Sequence, residues 1–176
     1  MGCDIHLFVE KRKKDSKDDF LPCAFRSEFS ERTYSMFAKL ANVRNYDKVE
    51  HLPIRGLPED ISYITFEALY KKVIFDPINE WDEENCYTID QVNKWVKDGY
   101  SHVIHKHEKE WCSNPDAHSY NWCTSQEIME CLTEFTTGEN HKYRGNYLNW
   151  VGLAAYMKAL EDNGNYEVRA AYWFDN

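Results

Sequence analysis

Residues 1–10, MGCDIHLFVE, carry the pattern from which the fold of this chain can be argued. In a β-strand, successive side chains point to opposite faces of the sheet. One face of this segment is entirely apolar and consists of Cys3, Ile5, Leu7 and Val9. The other face carries Asp4 and His6, followed by Phe8 and Glu10. The pattern predicts a strand whose apolar face, with Cys3, joins the core, and it places an acid beside an imidazole on the opposite face.

Four other segments favour extended or irregular backbone. KRKKDSKDD at 11–19 is dense in charge and predicts an exposed turn or loop. FLPCAFR at 20–26 predicts a second strand paired with the first. HLPIRGLPED at 51–60 holds two prolines and a glycine, which predict an ordered loop. YEVRAAYWFDN at 166–176 predicts a last strand.

Apolar residues at helical spacing predict about four helices. The first follows Thr33, a candidate N-cap. The second and third begin with capping boxes, Thr-x-x-Gln from Thr88 and Thr-x-x-Glu from Thr124. A fourth runs over 147–162 and ends before Asn-Gly-Asn. Without internal repeats or βαβ alternation, these elements predict one α+β domain over 1–176. Its small, mostly antiparallel sheet would contain the N-terminal and C-terminal strands.

Composition and charge exclude several classes of protein. Hydrophobic residues make up 43% of the chain, too many for intrinsic disorder. The formal charge of -9 disfavours non-specific binding to nucleic acid. No apolar run approaches the ~20 residues of a membrane span, and no export signal is apparent. We therefore expect a cytoplasmic protein without a membrane partner, and its six cysteines, which form no CxxC, should be reduced thiols.

Asp4 and His6 are the first candidates for a functional site. Residues two apart on one strand face are ~6–7 Å apart, so their side chains can share a metal ion or a substrate group. A structural alternative has Asp4 paired with a nearby arginine and His6 acting as a partly buried polar residue. Both interpretations remain open at this point.

The segment DAHS at 116–119 repeats the D-x-H spacing with Asp116 and His118. It precedes a capped helix, whose N-terminal NH groups favour an anion, so Ser119 is a candidate ligand contact. If the fold brings the two pairs together, Asp4, His6, Asp116 and His118 would hold a divalent metal. His6, His118 and Asp4 would alternatively act as general acid and base. The structural alternative is that the segment only supplies turn and cap residues.

Two arginine-bearing segments complete the candidate pocket. Arg44 and Asn45 end the first helix region, and Arg55 precedes a glycine in the proline-containing loop. A guanidinium held in this way can clamp a phosphate or carboxylate with its planar fork. The alternative is that Arg55 pairs with Asp4 and only fastens the loop.

The same segments, in the same order, resemble a family of small, uncharacterised tailed-phage accessory proteins that begin MGCDIH. ERTYSMFAKLANVRN is similar to the family's RNYxLFAxLAxVRN, with Arg32 at the arginine and Thr33 in place of asparagine. PIRGLPEDIS resembles the family's PRGLPxDxS with Ile54 inserted. DAHS and TSQE match a D-x-H-S segment that is followed by a T-x-x-E helix in the family. The end of the chain, VRAAYWFDN, resembles the family's VRxxFWFDN. The resemblance covers nearly the whole chain and is weakest between Phe66 and Trp111.

The resemblance implies an accessory protein in the cytoplasm of an infected bacterium, which leads to two hypotheses. In the first, the Asp/His/Arg pocket binds an anionic, nucleotide-derived small molecule and, if the protein is an enzyme, hydrolyses it to counter host defence signalling. In the second, a non-enzymatic module inhibits a host protein through an acidic, aromatic-rich surface. The identity of the ligand, the presence of a metal and self-association stay open.

Overall fold

The computed structural model describes residues 2–27, 32–136 and 147–176. Within them lie eight strands and six helices, which are, in chain order, β1 (Asp4–Lys13), β2 (Leu21–Ser27), α1 (Tyr34–Ala41), α2 (Tyr63–Leu69), β3 (Tyr70–Ile74), α3 (Glu80–Asn85), β4 (Cys86–Thr88), α4 (Ile89–Lys97), β5 (Val103–Lys106), β6 (Lys109–Ser113), β7 (His118–Cys123), α5 (Ser125–Thr136), α6 (Leu148–Gly164) and β8 (Tyr166–Asp175). The chain divides into two units, the first formed by Met1–Ser62 with His118–Asn176 and the second by Tyr63–Ala117. The α+β class predicted from the sequence is confirmed.

The first unit is built on a four-stranded antiparallel sheet in the order β2-β1-β8-β7. The N-terminal and C-terminal strands pair over their full lengths, from Asp4 opposite Asp175 to Lys13 opposite Tyr166. β1 therefore continues into the basic segment for which the sequence predicted a turn. The pairing with β8 extends it, because Arg12 lies opposite Glu167 and forms an ion pair with it.

One face of this sheet carries the core of the first unit. The apolar face of β1 is buried as predicted, with Cys3 and Leu7 each 1% exposed. It packs in one cluster with side chains of α1, α5 and α6. Tyr172 of β8 lies opposite Leu7, and its hydroxyl donates a 3.0 Å hydrogen bond to the carbonyl of Leu40. The alternation read from MGCDIHLFVE thus corresponds to the inner and outer sides of the sheet.

The opposite face holds an ion network around Arg169. Its guanidinium donates to Glu10 at 3.0 Å and to a carboxylate oxygen of Asp60 at 2.8 Å. Arg12 donates to the second carboxylate oxygen of Asp60 at 2.9 Å and to Glu167 at 2.7 Å. Burial alone would raise the pKa of Asp60, but the hydrogen bond and charge of Arg169, with the charge of Arg12, lower it. The network fastens the end of the RGLPED loop to β1 and β8.

The second unit contains a separate sheet in the order β4-β3-β6-β5. Its β3 and β4 run parallel, while the β3/β6 and β5/β6 pairs are antiparallel. Thr88 caps α4 in a complete capping box with Gln91, as the sequence predicted. The small sheet expected from the sequence is therefore two sheets in the described residues. Of the two helices beyond the expected four, α2 lies in the segment from Ile61 to Phe75, where the sequence pattern was ambiguous, and α3 lies after that segment.

None of the helices in the described ranges combines the length and apolar character needed to cross a lipid bilayer.

Candidate functional site

Asp4 and His6 lie where β1 begins, beside the end of β8. Asp4 is opposite Asp175 and His6 is opposite Trp173, so all four residues share one face of the sheet. The side chains of Asp4 and His6 are 52% and 44% exposed. The first candidate pair therefore stands at an accessible end of the sheet.

Asp4 is held by an arginine that comes from another part of the chain. Arg32 donates to both carboxylate oxygens of Asp4, from Nε and Nη2, each at 2.8 Å. The hydrogen bond from Arg32 lowers the pKa of Asp4. The guanidinium also covers the backbone of Gly2, where an added Cβ would lie 1.6 Å from Arg32 Nη1. The structural alternative considered for Asp4, pairing with a nearby arginine, is realised with Arg32.

His6 is oriented by a carboxylate and by a stack of rings. Its Nε2 lies 2.8 Å from Oδ2 of Asp175. Its ring stacks on Trp173 at 5.6 Å between centroids and 14° between planes, and Trp173 stacks in turn on Phe8 at 5.3 Å. An Nε2 proton donated to Asp175 leaves Nδ1 as an acceptor, and Nδ1 has no hydrogen-bond partner among the described residues. This is the arrangement of an imidazole general base whose tautomer is held by an acid.

Arg44 lies close to the same end of the sheet. Its guanidinium carbon is 6.0 Å from the ring of Tyr34, and its Nη1 donates to the hydroxyl of Tyr46 at 3.2 Å. Burial raises the pKa of the Cys3 thiol, which is therefore unsuited to act as a nucleophile. The charges of Arg44 and Arg32 lower the pKa of that thiol and those of Asp175 and Asp4 raise it, so all four side chains lie within electrostatic range of Cys3.

We call the set of Asp4, His6, Arg32, Arg44 and Asp175 the strand-end cluster. Three of its members were predicted as site residues from the sequence, whereas Arg32 and Asp175 were not. Arg32 had a signal, since it lies next to Thr33 in the segment whose resemblance to a phage-family motif was noted from the sequence. Asp175 could have been found by pairing the first and last predicted strands antiparallel, because the end of one then meets the start of the other.

Asn45 has a structural role instead of a place in a pocket. Its side-chain amide donates to Asn42 Oδ1 and to the carbonyl of Val49, each at 2.8 Å. Its Oδ1 accepts the backbone NH of Val49, also at 2.8 Å. These three bonds close the turn after α1, and they occupy the donor and acceptor groups of the amide.

Arg55 is engaged away from Asp4. Its guanidinium forms an ion pair with Glu127, donates to the carbonyl of Trp122 at 3.1 Å, and lies 4.6 Å above the Trp122 ring. The hydrogen bond from Arg55 lowers the pKa of Glu127, which is also the third helical residue of the box begun by Thr124. Arg55 therefore fastens the RGLP loop to β7 and to the start of α5.

The structure divides the DAHS residues between the two units, contrary to the hypothesis of one shared site. Asp116 belongs to the second unit, where its backbone NH donates to Asn114 Oδ1 at 3.0 Å. His118 lies opposite Phe174 and stacks on it at 6.2 Å, so it is on the core side of the sheet. His6 is on the other side. Ser119, at a φ of 54°, is within 2.9 Å of His118 Nδ1, so this pair is an internal contact.

The predicted metal site finds no support in this geometry. Across residues 2–27, 32–136 and 147–176, no group of three or more His, Cys, Asp or Glu side chains is placed to hold a metal ion. Asp4 pairs with Arg32 and His6 with Asp175, while His118 faces the core, so the candidate ligands do not converge on one point. We therefore derive no metal-dependent step.

No protein-family model, curated protein or solved structure matches this chain. The functional argument therefore rests on the contacts and exposure of its own residues.

Proposed function

We propose that this chain is a phage accessory protein that binds a small anionic, nucleotide-derived molecule at the strand-end cluster and hydrolyses it with His6 as general base. The observation that carries the proposal is the partly exposed His6–Asp175 pair near the Arg32 fork. The accessory role rests on the resemblance of the sequence segments to the phage family.

Arg32 and Arg44 would supply the binding of the anion. A guanidinium fork matches the geometry of phosphate and carboxylate oxygens, and Arg32 already holds one carboxylate in the bidentate mode. Because both partners of that ion pair are about half exposed, water competes with it and exchange for a ligand phosphate is easy. Asp4 would thus keep the arginine extended until an anion displaces it.

His6 would supply the proton transfer. Nδ1 accepts a proton from a water molecule as the oxygen of that water attacks the phosphorus atom, and Asp175 stabilises the imidazolium that forms. The same proton then passes to the oxygen of the leaving group. The Trp173 stack fixes the plane of the imidazole, so the direction of Nδ1 is set before the ligand arrives.

Isothermal titration calorimetry and product analysis would test the proposal with nucleoside triphosphates, cyclic dinucleotides and ADP-ribose, each in the presence of a chelator. We expect Arg32→Ala to weaken binding by at least about tenfold, since hydrogen bonds to charged groups contribute ~1.5–3 kcal/mol. We expect His6→Asn to retain binding and lose turnover.

Two matched control variants are available. Lys158→Ala removes a cation from the similarly exposed Lys158–Asp162 pair. His105→Asn removes an imidazole from the His105–Glu110 pair, whose atoms lie 3.0 Å apart. Neither should change binding or turnover. The proposal is wrong if no compound of the three classes binds, or if binding is the same in Arg32→Ala as in the wild type. Binding without turnover in the wild type would refute the hydrolytic part of the proposal and leave the binding part standing.

A further inference from the structure

Residues 75–85, FDPINEWDEEN, connect the parallel strands β3 and β4, and we call them the acidic crossover. Three large apolar side chains in it face solvent: Phe75 is 82% exposed, Ile78 90% and Trp81 65%. Single exposed apolar residues are ordinary on protein surfaces, but three of this size within seven positions are not. The second unit thus presents three large apolar side chains that the described parts of the chain leave exposed.

The backbone of the acidic crossover is held in place while these side chains stay exposed. Asn79 caps α3 by accepting a 3.0 Å hydrogen bond from the NH of Asp82, and Asp82 accepts one of 3.1 Å from the NH of Ile78. An apolar residue before an N-cap commonly packs on the fourth helical residue, but here that residue is Glu83. The backbone of Ile78 is therefore held by Asp82, while its side chain does not meet an apolar residue at that helix position.

The charge of the acidic crossover restricts what can cover it. It contains no Lys, Arg or His, and its acids are Asp76, Glu80, Asp82, Glu83 and Glu84. These carboxylates repel a phosphate backbone, which disfavours nucleic acid. They also disfavour a second copy of the chain, because a symmetric contact would place the same acids against each other. A protein surface with an apolar groove and a basic rim has the complementary chemistry.

We propose that the acidic crossover is a docking element, in which Ile78 and Trp81 enter an apolar groove on a partner protein whose basic rim pairs with the carboxylates. Large apolar anchors in the centre of an acidic surface match the usual anatomy of an interface, where apolar anchors are surrounded by polar residues. Capping of α3 reduces the ordering needed on binding. This inference does not depend on the strand-end cluster, which lies in the first unit.

A defined probe can test the inference with the full-length protein. The probe is a fluorescently labelled helical-hairpin peptide whose two helices, of about five turns each, form a leucine-lined groove with arginines along both edges, and binding is followed by anisotropy. We expect Ile78→Ser and Trp81→Ser each to weaken binding by at least about tenfold, the usual loss at an interface anchor. Tyr100→Ser is the matched control, because Tyr100 is 62% exposed in the same unit but outside the acidic crossover, and it should bind as the wild type does.

Charge is tested separately in a variant with Glu80→Gln, Glu83→Gln and Glu84→Gln. Raising the salt from about 50 to about 500 mM should weaken wild-type binding strongly and this variant much less. Amide shifts in the wild-type NMR spectrum should change within residues 75–85. Three results would overturn the inference: equal binding of a peptide with glutamate in place of arginine, equal binding by Ile78→Ser, or self-association that Trp81→Ser abolishes. Competition by an RNA oligonucleotide for the same amides would also overturn it.

Discussion

Replacing Arg169 with methionine should lower the free energy of unfolding by about 3–5 kcal/mol, the usual cost of removing one partner from a buried ion pair. Arg169 Nε and Glu10 Oε2 are 3.0 Å apart, with the two side chains 7% and 0% exposed. Methionine fills a similar volume but leaves the Glu10 carboxylate without its cation. Asp60 loses its bonds to Arg169 but keeps the one from Arg12, so its contribution is the smaller part.

A double-mutant cycle combines Arg169→Met with Glu10→Gln, which removes the charge of Glu10. Glutamine retains an oxygen that can accept the backbone NH of Ser62, which lies 2.7 Å from Glu10 Oε1 in the wild type. In the wild type this change should cost about 1.5–3 kcal/mol, because a charge-assisted hydrogen bond to Arg169 is weakened. In the Arg169→Met background the same change should instead stabilise the protein, because no buried charge remains uncompensated. The effect of Glu10→Gln therefore reverses its sign.

Urea unfolding of the four proteins, followed by circular dichroism and tryptophan fluorescence, measures each step of the cycle. Lys158→Met provides an exposed control, and the loss of its pair with Asp162 should cost no more than about 1 kcal/mol. A loss below about 1 kcal/mol for Arg169→Met would refute the reasoning. So would additivity of the two single changes, since it would show that the two side chains do not interact in the folded protein.

Three further predictions concern pH, thiols and the strand-end cluster. Arg55 lowers the pKa of Glu127 below its ordinary 4.5, so the stability that this pair contributes is present above pH 4.5 and is lost as the pH falls through the lowered pKa. The urea midpoint of the wild type should therefore fall between about pH 5 and 3. Glu127→Gln, which keeps the capping box, should make that fall smaller. Of the six thiols, Cys23 should react first with a disulfide reagent at neutral pH, and the five buried thiols should react only after unfolding. A faster reaction of any other thiol would contradict the burial pattern. Gly2→Ala should displace the Arg32 guanidinium and shift its Nε–H resonance in the NMR spectrum, because the new Cβ would occupy its position; an unchanged resonance would show that the close approach does not exist in solution.

The elements with clear local signals were predictable. The capping boxes at Thr88 and Thr124 begin α4 and α5, because a cap involves only four consecutive residues. Thr33 precedes α1, although its side chain makes no capping hydrogen bond. The segment from Ile61 to Phe75 was ambiguous, since short elements such as α2 and β3 are stabilised by their neighbours more than by their own pattern.

The strand-end cluster was predictable only in part. Asp4 and His6 stand out because an acid and an imidazole lie side by side on the outer face of a strand whose inner face is apolar at its start. Their partners could not be read from local spacing: His6 and Asp175 are 169 positions apart, and Arg32 lies after the second strand. The repeated D-x-H spacing suggested convergence with His118, but the register of β7 on β8 places that ring on the core side.

The sequence by itself determined the alternation of apolar and polar side chains along β1, the starts of the capped helices and the packing of an apolar strand face against helices. These features depend on side-chain periodicity and on groups a few residues apart. Only the tertiary structure decided which charges meet. Arg32 holds Asp4, Asp175 holds His6, and Arg169 neutralises the buried Glu10. The contacts of Asp175 and Arg169 follow from the antiparallel register of the first and last strands, which a local pattern does not encode, since a shift by one residue would move every side chain to the other face.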